Sequence, residues 1–468
     1  MTRPAFAVGC AAAVLLSAVA CGTTRGAVGP AAPPTRSAAA RSASAPGSGS
    51  CPTRRAYATE VTAAGRVAWQ VSLPTAAQQQ GIAAQPLVIS GVAVFAEENA
   101  VYGIRVSDGH LLWRRVFSKD IASLTGAVYG LWQADGRVVM LTGQVTSSAR
   151  LTALTPSTGA VRWTLPLPAP GLLGSQAQGS GAALAILRPN GVLESVDLDS
   201  GRVLWTRPVG PSAGPAAVGP VIAAGGNGLA VGYAARGGGR SLWTARGLPP
   251  ETNLTAAGGL FLAWSNAQGG GAPTAVTALN PRTGRLAWRF DPGPAVTILG
   301  AGPAGIALAT YTAHPRLYLV NPATGRVRWS AATFAAAEYG LPGQLVVTGS
   351  RVILAEGSAG GTRLAVRNAA DGRVLWSTPL GADAEGGANL ALLPLAAGQA
   401  VAATVWQGSG LSTRLTVNRL ATGAPLGSRT LPDLVMAPLT VAGTCVLAQS
   451  DSPACAIAAT GTATTRTR

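Results

Sequence analysis

Between residues 60 and 458 the chain is a succession of short runs in which apolar and polar side chains alternate, separated by glycine, proline, asparagine and serine. Alternation with a period of two, over runs of about four to eight residues, marks half-buried β-strands. The clearest units read strand, turn, strand. Residues 150–154 are followed by Thr155-Pro156-Ser157-Thr158-Gly159 and then Ala160-Val161-Arg162-Trp163. Residues 274–279 lead into Asn280-Pro281-Arg282-Thr283-Gly284 and on to Trp288, and 316–320 into Asn321-Pro322-Ala323-Thr324-Gly325 and on to Trp329. The turn chemistry is specific: Asn or Thr opens it, Pro sets φ, and Gly supplies the positive φ that ends it. Upstream of each pair lie two more apolar runs, 345–348 and 352–355 for example, which makes four antiparallel strands per unit.

The unit recurs. Eight glycines are followed four residues later by tryptophan: Gly65/Trp69, Gly109/Trp113, Gly159/Trp163, Gly201/Trp205, Gly239/Trp243, Gly284/Trp288, Gly325/Trp329 and Gly372/Trp376. A ninth, Gly423, has the turn but places Gly427 where the tryptophan belongs. Four-stranded repeats of this length predict an all-β fold, a single β-propeller, with each tryptophan a wedge between neighbouring blades. The expected count is eight blades, or nine if the unit ending at Trp243 qualifies, since Gly237-Gly238-Gly239 replaces its turn. The Trp69 strand has no blade strands before it, and 439–458 has strands with no tryptophan unit after them. The N- and C-terminal strands are therefore expected to complete one blade together and close the ring. Trp132, Trp264 and Trp406 fall outside the pattern, in what read as second strands, and are the candidate ligand-binding aromatics.

Composition adds the ends and the compartment. Residues 1–20 carry Arg3 and an apolar stretch too short to span a bilayer, the form of a signal peptide. The stretch ends Ala18-Val19-Ala20-Cys21, which resembles a bacterial lipobox, so Cys21 is the expected lipidation site and the membrane anchor. Residues 21–55, rich in Ala, Pro, Ser and Arg, cannot bury enough surface to fold and read as a tether. The propeller is expected over 56–460 and a disordered tail over 461–468. The formal net charge is +17, Lys119 is the only lysine, and no acid precedes Glu60. In an exported chain the basic tether suits anionic lipid head groups rather than nucleic acid, and the arginines scattered over the body read as a solvated surface. The Arg, Ala and Gly load matches a high-GC, actinobacterial type of genome. Cys51, Cys445 and Cys455 remain for an oxidising compartment. A hairpin centred near Ser450 would oppose Cys445 and Cys455 and bridge them, with Cys51 to either as the alternative.

Chemistry is sparse. Gly300, Gly302 and Gly305 match a dinucleotide-binding glycine pattern, but no acid occurs between Asp291 and Glu338 to hold a ribose, and the interval has room for one blade. His110 and His314 lack metal-ligand spacing. Glu97-Glu98 and Asp197/Asp199 are the tight carboxylate clusters, and they read as solvated edge features. No metal ligand, cofactor or catalytic residue is assigned.

The Asn-Pro-x-Thr-Gly-x-x-x-Trp units resemble the repeats of pyrroloquinoline-quinone-type propellers, the quinoprotein alcohol dehydrogenases and their non-enzymatic relatives. The dehydrogenases carry a vicinal cysteine pair, calcium ligands and a catalytic aspartate; this chain has no Cys-Cys pair. Lipobox, tether and lone propeller are more similar to the BamB type, a lipid-anchored propeller that scaffolds envelope assembly. The resemblance implies a non-enzymatic, extracytoplasmic, lipid-anchored protein-binding or envelope-assembly scaffold whose partner is an envelope protein. A quinone-dependent dehydrogenase-like enzyme and an extracytoplasmic small-ligand sensor are the alternatives.

Overall fold

The computed structural model describes residues 55–73, 85–97, 100–117, 128–134, 136–143, 148–168, 177–180, 183–188, 190–209, 214–249, 252–265, 275–293, 296–310, 314–332, 345–358, 361–381, 388–395, 398–407, 412–431, 434–435 and 439–452. The expected signal peptide, Cys21, Cys51, Cys455 and the 461–468 tail lie outside the described residues, as does nearly all of the tether.

Every described element is a β-strand, and the strands form nine separate antiparallel sheets. Eight are simple meanders of four consecutive strands, such as Leu87–Ile89, Val92–Glu97, Ala100–Arg105 and Leu111–Val116. The sheets are numbered here as blades in ring order. Blade 1 is the composite one, and blades 2 to 9 follow along the chain, blade 9 ending at Pro425–Leu431. The first strands of most neighbouring blades lie against one another: Thr440–Ala442 of blade 1 touches both Leu87–Ile89 of blade 2 and Ala388–Leu395 of blade 9. That contact closes a ring with first strands inside and fourth strands outside. The fold is a nine-bladed propeller.

The count is nine rather than eight because the unit ending at Trp243 is a full blade. Its strands are Ala216–Val218, Val221–Gly226, Leu229–Ala234 and Ser241–Arg246. Gly237, Gly238 and Gly239 all take positive φ, at 83°, 78° and 64°, and so build without Asn-Pro the reversal that Asn280-Pro281 and Asn321-Pro322 open in blades 6 and 7.

Blade 1 joins the two ends of the chain. Arg55–Thr62 pairs on one side with Val67–Leu73 and on the other with Cys445–Ser452, which in turn pairs with Thr440–Ala442. This shared blade was expected, but the hairpin near Ser450 was not formed. Cys445–Ser452 runs unbroken through that point, both of its edges are already taken, and the reversal lies instead at Gly443. Cys445 is a free thiol opposite Thr62.

The core is divided accordingly. Nine hydrophobic clusters each fill the gap between neighbouring blades; one, for example, unites Leu262, Val276 and Trp288 of blade 6 with Val296, Ile306 and Val320 of blade 7. The glycine pattern at 300–305 is a hairpin between Val296–Gly302 and Gly305–Thr310. A side chain at Gly302 would meet the Val347 carbonyl oxygen of blade 8 at 1.8 Å, so close blade approach accounts for that glycine.

Candidate functional site

Eight of the nine blades carry both halves of an interblade clamp, a tryptophan and a turn. The register between third and fourth strands slips by one residue just before the tryptophan in all eight tryptophan blades, as between Gly103/Ile104 opposite Leu111 and Trp113. Such a bulge re-aims the following side chain. The ring then lies under the turn of the next blade. Trp69, Trp113, Trp163, Trp205, Trp243, Trp288, Trp329 and Trp376 pack beneath Gly109, Gly159, Gly201, Gly239, Gly284, Gly325, Gly372 and Gly423 in order. A Cβ on any of these glycines would enter the indole, at 2.5 Å from Trp288 in the case of Gly325. Every indole Nε1 also donates to a carbonyl of that same turn, from 2.6 Å for Trp113 to Pro156 up to 3.1 Å for Trp163 to Asp199. The turn is in turn fixed from within: Asn280 Oδ1 accepts from the Arg282 and Thr283 amides, and the Gly284 amide donates to the Asn280 carbonyl. Arg115 and Arg207, two residues past their tryptophans, extend the clamp to the carbonyls of Gly159 and Gly239.

The ninth junction is different. Gly427 of blade 9 lies against Ala64 and Gly65 of blade 1, and a Cβ there would sit 2.2 Å from the Ala64 carbonyl carbon. Backbone meets backbone where the other junctions insert an indole. Beside this seam a cavity of about 260 Å³ opens between blades 8 and 9, lined among others by Thr378, Arg414, Thr416, Asn418 and Ser428.

The repeat serves as its own alignment and exposes misfit residues. The position opposite the tryptophan is Gly103, Ala153, Ser195, Gly232, Ala278, Leu319 or Val366 in seven blades, but Glu60 in blade 1. Glu60 is 5% exposed, and burial pushes its carboxyl up despite hydrogen bonds from the Cys445 thiol and Trp69. Burial, together with the Glu60 charge, pushes the Cys445 thiol up as well. One step further along, where other blades have Ile104, Leu154, Val196, Tyr233, Leu279 and Val320, stand Arg367 and Asn418. Both are buried. Arg367 is satisfied by Glu356 at 2.7 Å, whereas Asn418 donates to the Gly423 carbonyl and leaves its Oδ1 without a partner.

The residues singled out in the sequence are dispersed. Asp197 ends a third strand and Asp199 lies, partly exposed, in the turn after it, and the two join an ion-pair network spanning three blades: Arg236 of blade 5 lies 2.9 Å from Asp197 and 3.6 Å from Asp199, and Arg137 of blade 3 lies 3.8 Å from Asp199. Burial raises the Asp197 pKa, but the Ser200 amide and hydroxyl, Arg236 and the Asp199 amide outweigh it and leave the carboxyl below its usual range. Trp132 stands on a first strand, Val128–Ala134, rather than a second, half-buried against the core between blades 3 and 4. Trp264 and Trp406 are on second strands, Leu260–Ser265 and Gly398–Gln407, in blades 6 and 9; the Trp264 Nε1 is buried without a partner. The three are thus on three different blades. Among the described residues no three His, Cys, Asp or Glu side chains converge, and no helix is long and apolar enough to cross a membrane.

Comparison with known proteins adds the following. No curated protein matches the chain. Solved structures that resemble it include BamB from Moraxella catarrhalis, at 16% identity and a TM-score of 0.43, covering 78% of this chain and 96% of that one. The quinohemoprotein alcohol dehydrogenase ADHIIG from Pseudomonas putida HK5 aligns at 15% identity and 0.43, covering 71% of each chain. A eukaryotic initiation factor aligns at 10% identity and 0.54, covering 81% of this chain and 97% of the other, a likeness of fold. The family model described as outer membrane protein assembly factor BamB matches at residues 39–178, 189–341, 272–434 and 335–465. With nearly the whole ring matched, the chain belongs to that family of repeat propellers.

Proposed function

We propose that this propeller is a non-enzymatic scaffold that binds protein partners during assembly at the cell envelope, held outside the cytoplasm by a lipid on Cys21. The observation that carries the reading is the family match along the ring, whose description is that of an assembly factor. The repeat architecture is consistent with it, because the residues that the repeat dictates are spent on interblade clamps. Partners then meet what the repeat leaves free: the loops, the rim and the outer strand edges, to which an extended segment can add. Cross-linking in intact cells followed by mass spectrometry tests the scaffold. Enrichment of an envelope protein over an unrelated lipoprotein supports it, and enrichment of none overturns it. Labelling with a clickable fatty acid that persists after Cys21→Ala would refute the anchor. Stoichiometric uptake of pyrroloquinoline quinone with calcium would move the protein to the enzymatic branch.

A further inference from the structure

The clamp sets all nine third-to-fourth-strand turns at one level, because each turn rests on the preceding blade's tryptophan or, at the seam, on its glycine. The residue after the turn glycine therefore recurs around the rim. It is Arg66, His110, Ala160, Arg202, Arg240, Arg285, Arg326, Arg373 and Ala424 in blades 1 to 9. Arginine occupies it in five consecutive blades, 4 to 8, and all five side chains are exposed and make no ion pair among the described residues.

A second observation falls on the same rim. Of the large apolar side chains exposed among the described residues, all but Val116 lie two or three positions past a turn glycine. In the arc they are Val203, Leu242, Leu286, Val327, Val374 and Leu375, with Leu286 the most open at 62%. Each blade of the arc so presents a guanidinium beside an exposed aliphatic side chain.

We propose that the rim of blades 4 to 8 is a docking surface for a bilayer rich in anionic phospholipid. Guanidinium groups meet phosphate head groups there, and the aliphatic side chains enter the boundary between head groups and acyl chains, as on interfacial helices. The apolar positions of different blades are separated from one another by arginines and blade gaps. They form a row rather than the contiguous patch that a specific protein interface fills, and a fluid lipid surface adapts to a row. Blades 2, 3 and 9 carry His110, Ala160 and Ala424 at the same position, so outside the arc only Arg66 of blade 1 adds a guanidinium there. The proposal rests on the extracytoplasmic reading above only for the presence of a membrane, and it needs no N-terminal lipid.

The test uses the full chain carrying Cys21→Ser, so that no acyl chain contributes, and co-sedimentation with vesicles of phosphatidylcholine alone or mixed with phosphatidylglycerol. One variant replaces Arg202, Arg240, Arg285, Arg326 and Arg373 by Gln. A control removes the same charge from blades outside the arc, at Arg66 of blade 1, Arg150 and Arg162 of blade 3, and Arg414 and Arg429 of blade 9. All ten positions are exposed, and unchanged melting temperatures confirm the fold. Binding to the anionic vesicles is expected to fall more than about tenfold in the arc variant at low ionic strength and to change little in the control. Leu286→Ser, which leaves charge untouched, is expected to weaken binding as well. Equal losses in both arginine variants, or no binding to anionic vesicles by the starting protein, would overturn the proposal. So would an arc-dependent affinity for a soluble polyanion with no effect of Leu286→Ser. The cell cross-linking experiment reports on the scaffold separately, so one reading can fail without the other.

Discussion

Replacing Gly427 by Ala, a change that adds one carbon, should destabilise the ring, and Gly427→Trp, which restores the repeat's own consensus, should destabilise it more. The reasoning is geometric. The added Cβ would stand 2.2 Å from the Ala64 carbonyl carbon and 2.4 Å from the Ala64 oxygen and the Gly65 amide nitrogen. Carbon atoms pack at about 3.5–4.0 Å, so more than about 1 Å must be recovered. Both sides of the contact are backbone, one in an outer strand and one in the tight turn that joins two strands of the closing blade, so neither yields cheaply. Overpacking of this kind costs about 1–3 kcal/mol, and the upper end applies. At about 2.1 cal/mol/K of unfolding entropy per residue, a ring of this size loses about 1 °C per kcal/mol, so Gly427→Ala should melt about 3 °C lower. Gly349→Ala is the matched control, since a Cβ there meets nothing within 4 Å and its φ is not positive. It should stay within about 0.5 kcal/mol of the parent. Scanning calorimetry of the parent and the three variants decides. If Gly427→Ala melts at or above the parent temperature, blade 9 and blade 1 are not in backbone contact and the account of the seam is wrong.

Three further outcomes follow from the same geometry. Trp288→Ala should cost about 3–5 kcal/mol by leaving a cavity beneath Gly325, while Trp288→Phe, which mainly loses the bond to the Pro322 carbonyl, should cost less, both read from denaturant midpoints. Burial holds the folded pKa of Glu60 above the ordinary carboxylate value, so the folded protein holds that proton more tightly than the unfolded chain does. Its contribution is complete below the unfolded pKa and is lost as pH rises through the folded one. Melting curves should therefore show Glu60→Gln gaining on the parent as pH climbs from the acid range towards neutrality. Arg236→Ala breaks pairs to Asp197 and Asp199, but the arginine is more than half exposed. The expected loss is at most about 1 kcal/mol and shrinks in added salt, which a melt at two ionic strengths will show.

The blades were legible because local chemistry dictates them: Asn280-Pro281 or Asn321-Pro322 opens a turn whatever lies around it, and alternation assigns the inner face of each strand. The blade at Trp243 was harder to count because a run of positive-φ glycines reaches the same turn without the usual residues. The end of the chain was misread for a different reason. Ser450-Asp451-Ser452 has turn-forming residues, but pairing with Arg55–Thr62 on one edge and Leu434–Val435 on the other keeps it extended. That partner strand is almost the whole chain away. Contacts across blades were equally hidden. Nothing near Asp197 in sequence names Arg236, and Glu60 shows as an anomaly only when it is set in register with Gly103 and Ala278.

Because every repeat but the ninth brings its own indole for the blade ahead, and each brings its own turn for the blade behind, neighbouring units are interchangeable parts. A whole blade can in principle be duplicated or deleted in the gene, and the new neighbours will still fit, provided the ring can relax to the new circumference. The junction of Gly427 with Ala64 and Gly65 has no such freedom, since it fits only its own counterpart. Growth and loss of blades in related chains should therefore fall anywhere except across that seam, which makes it the fixed point from which homologous rings of different size are best superposed.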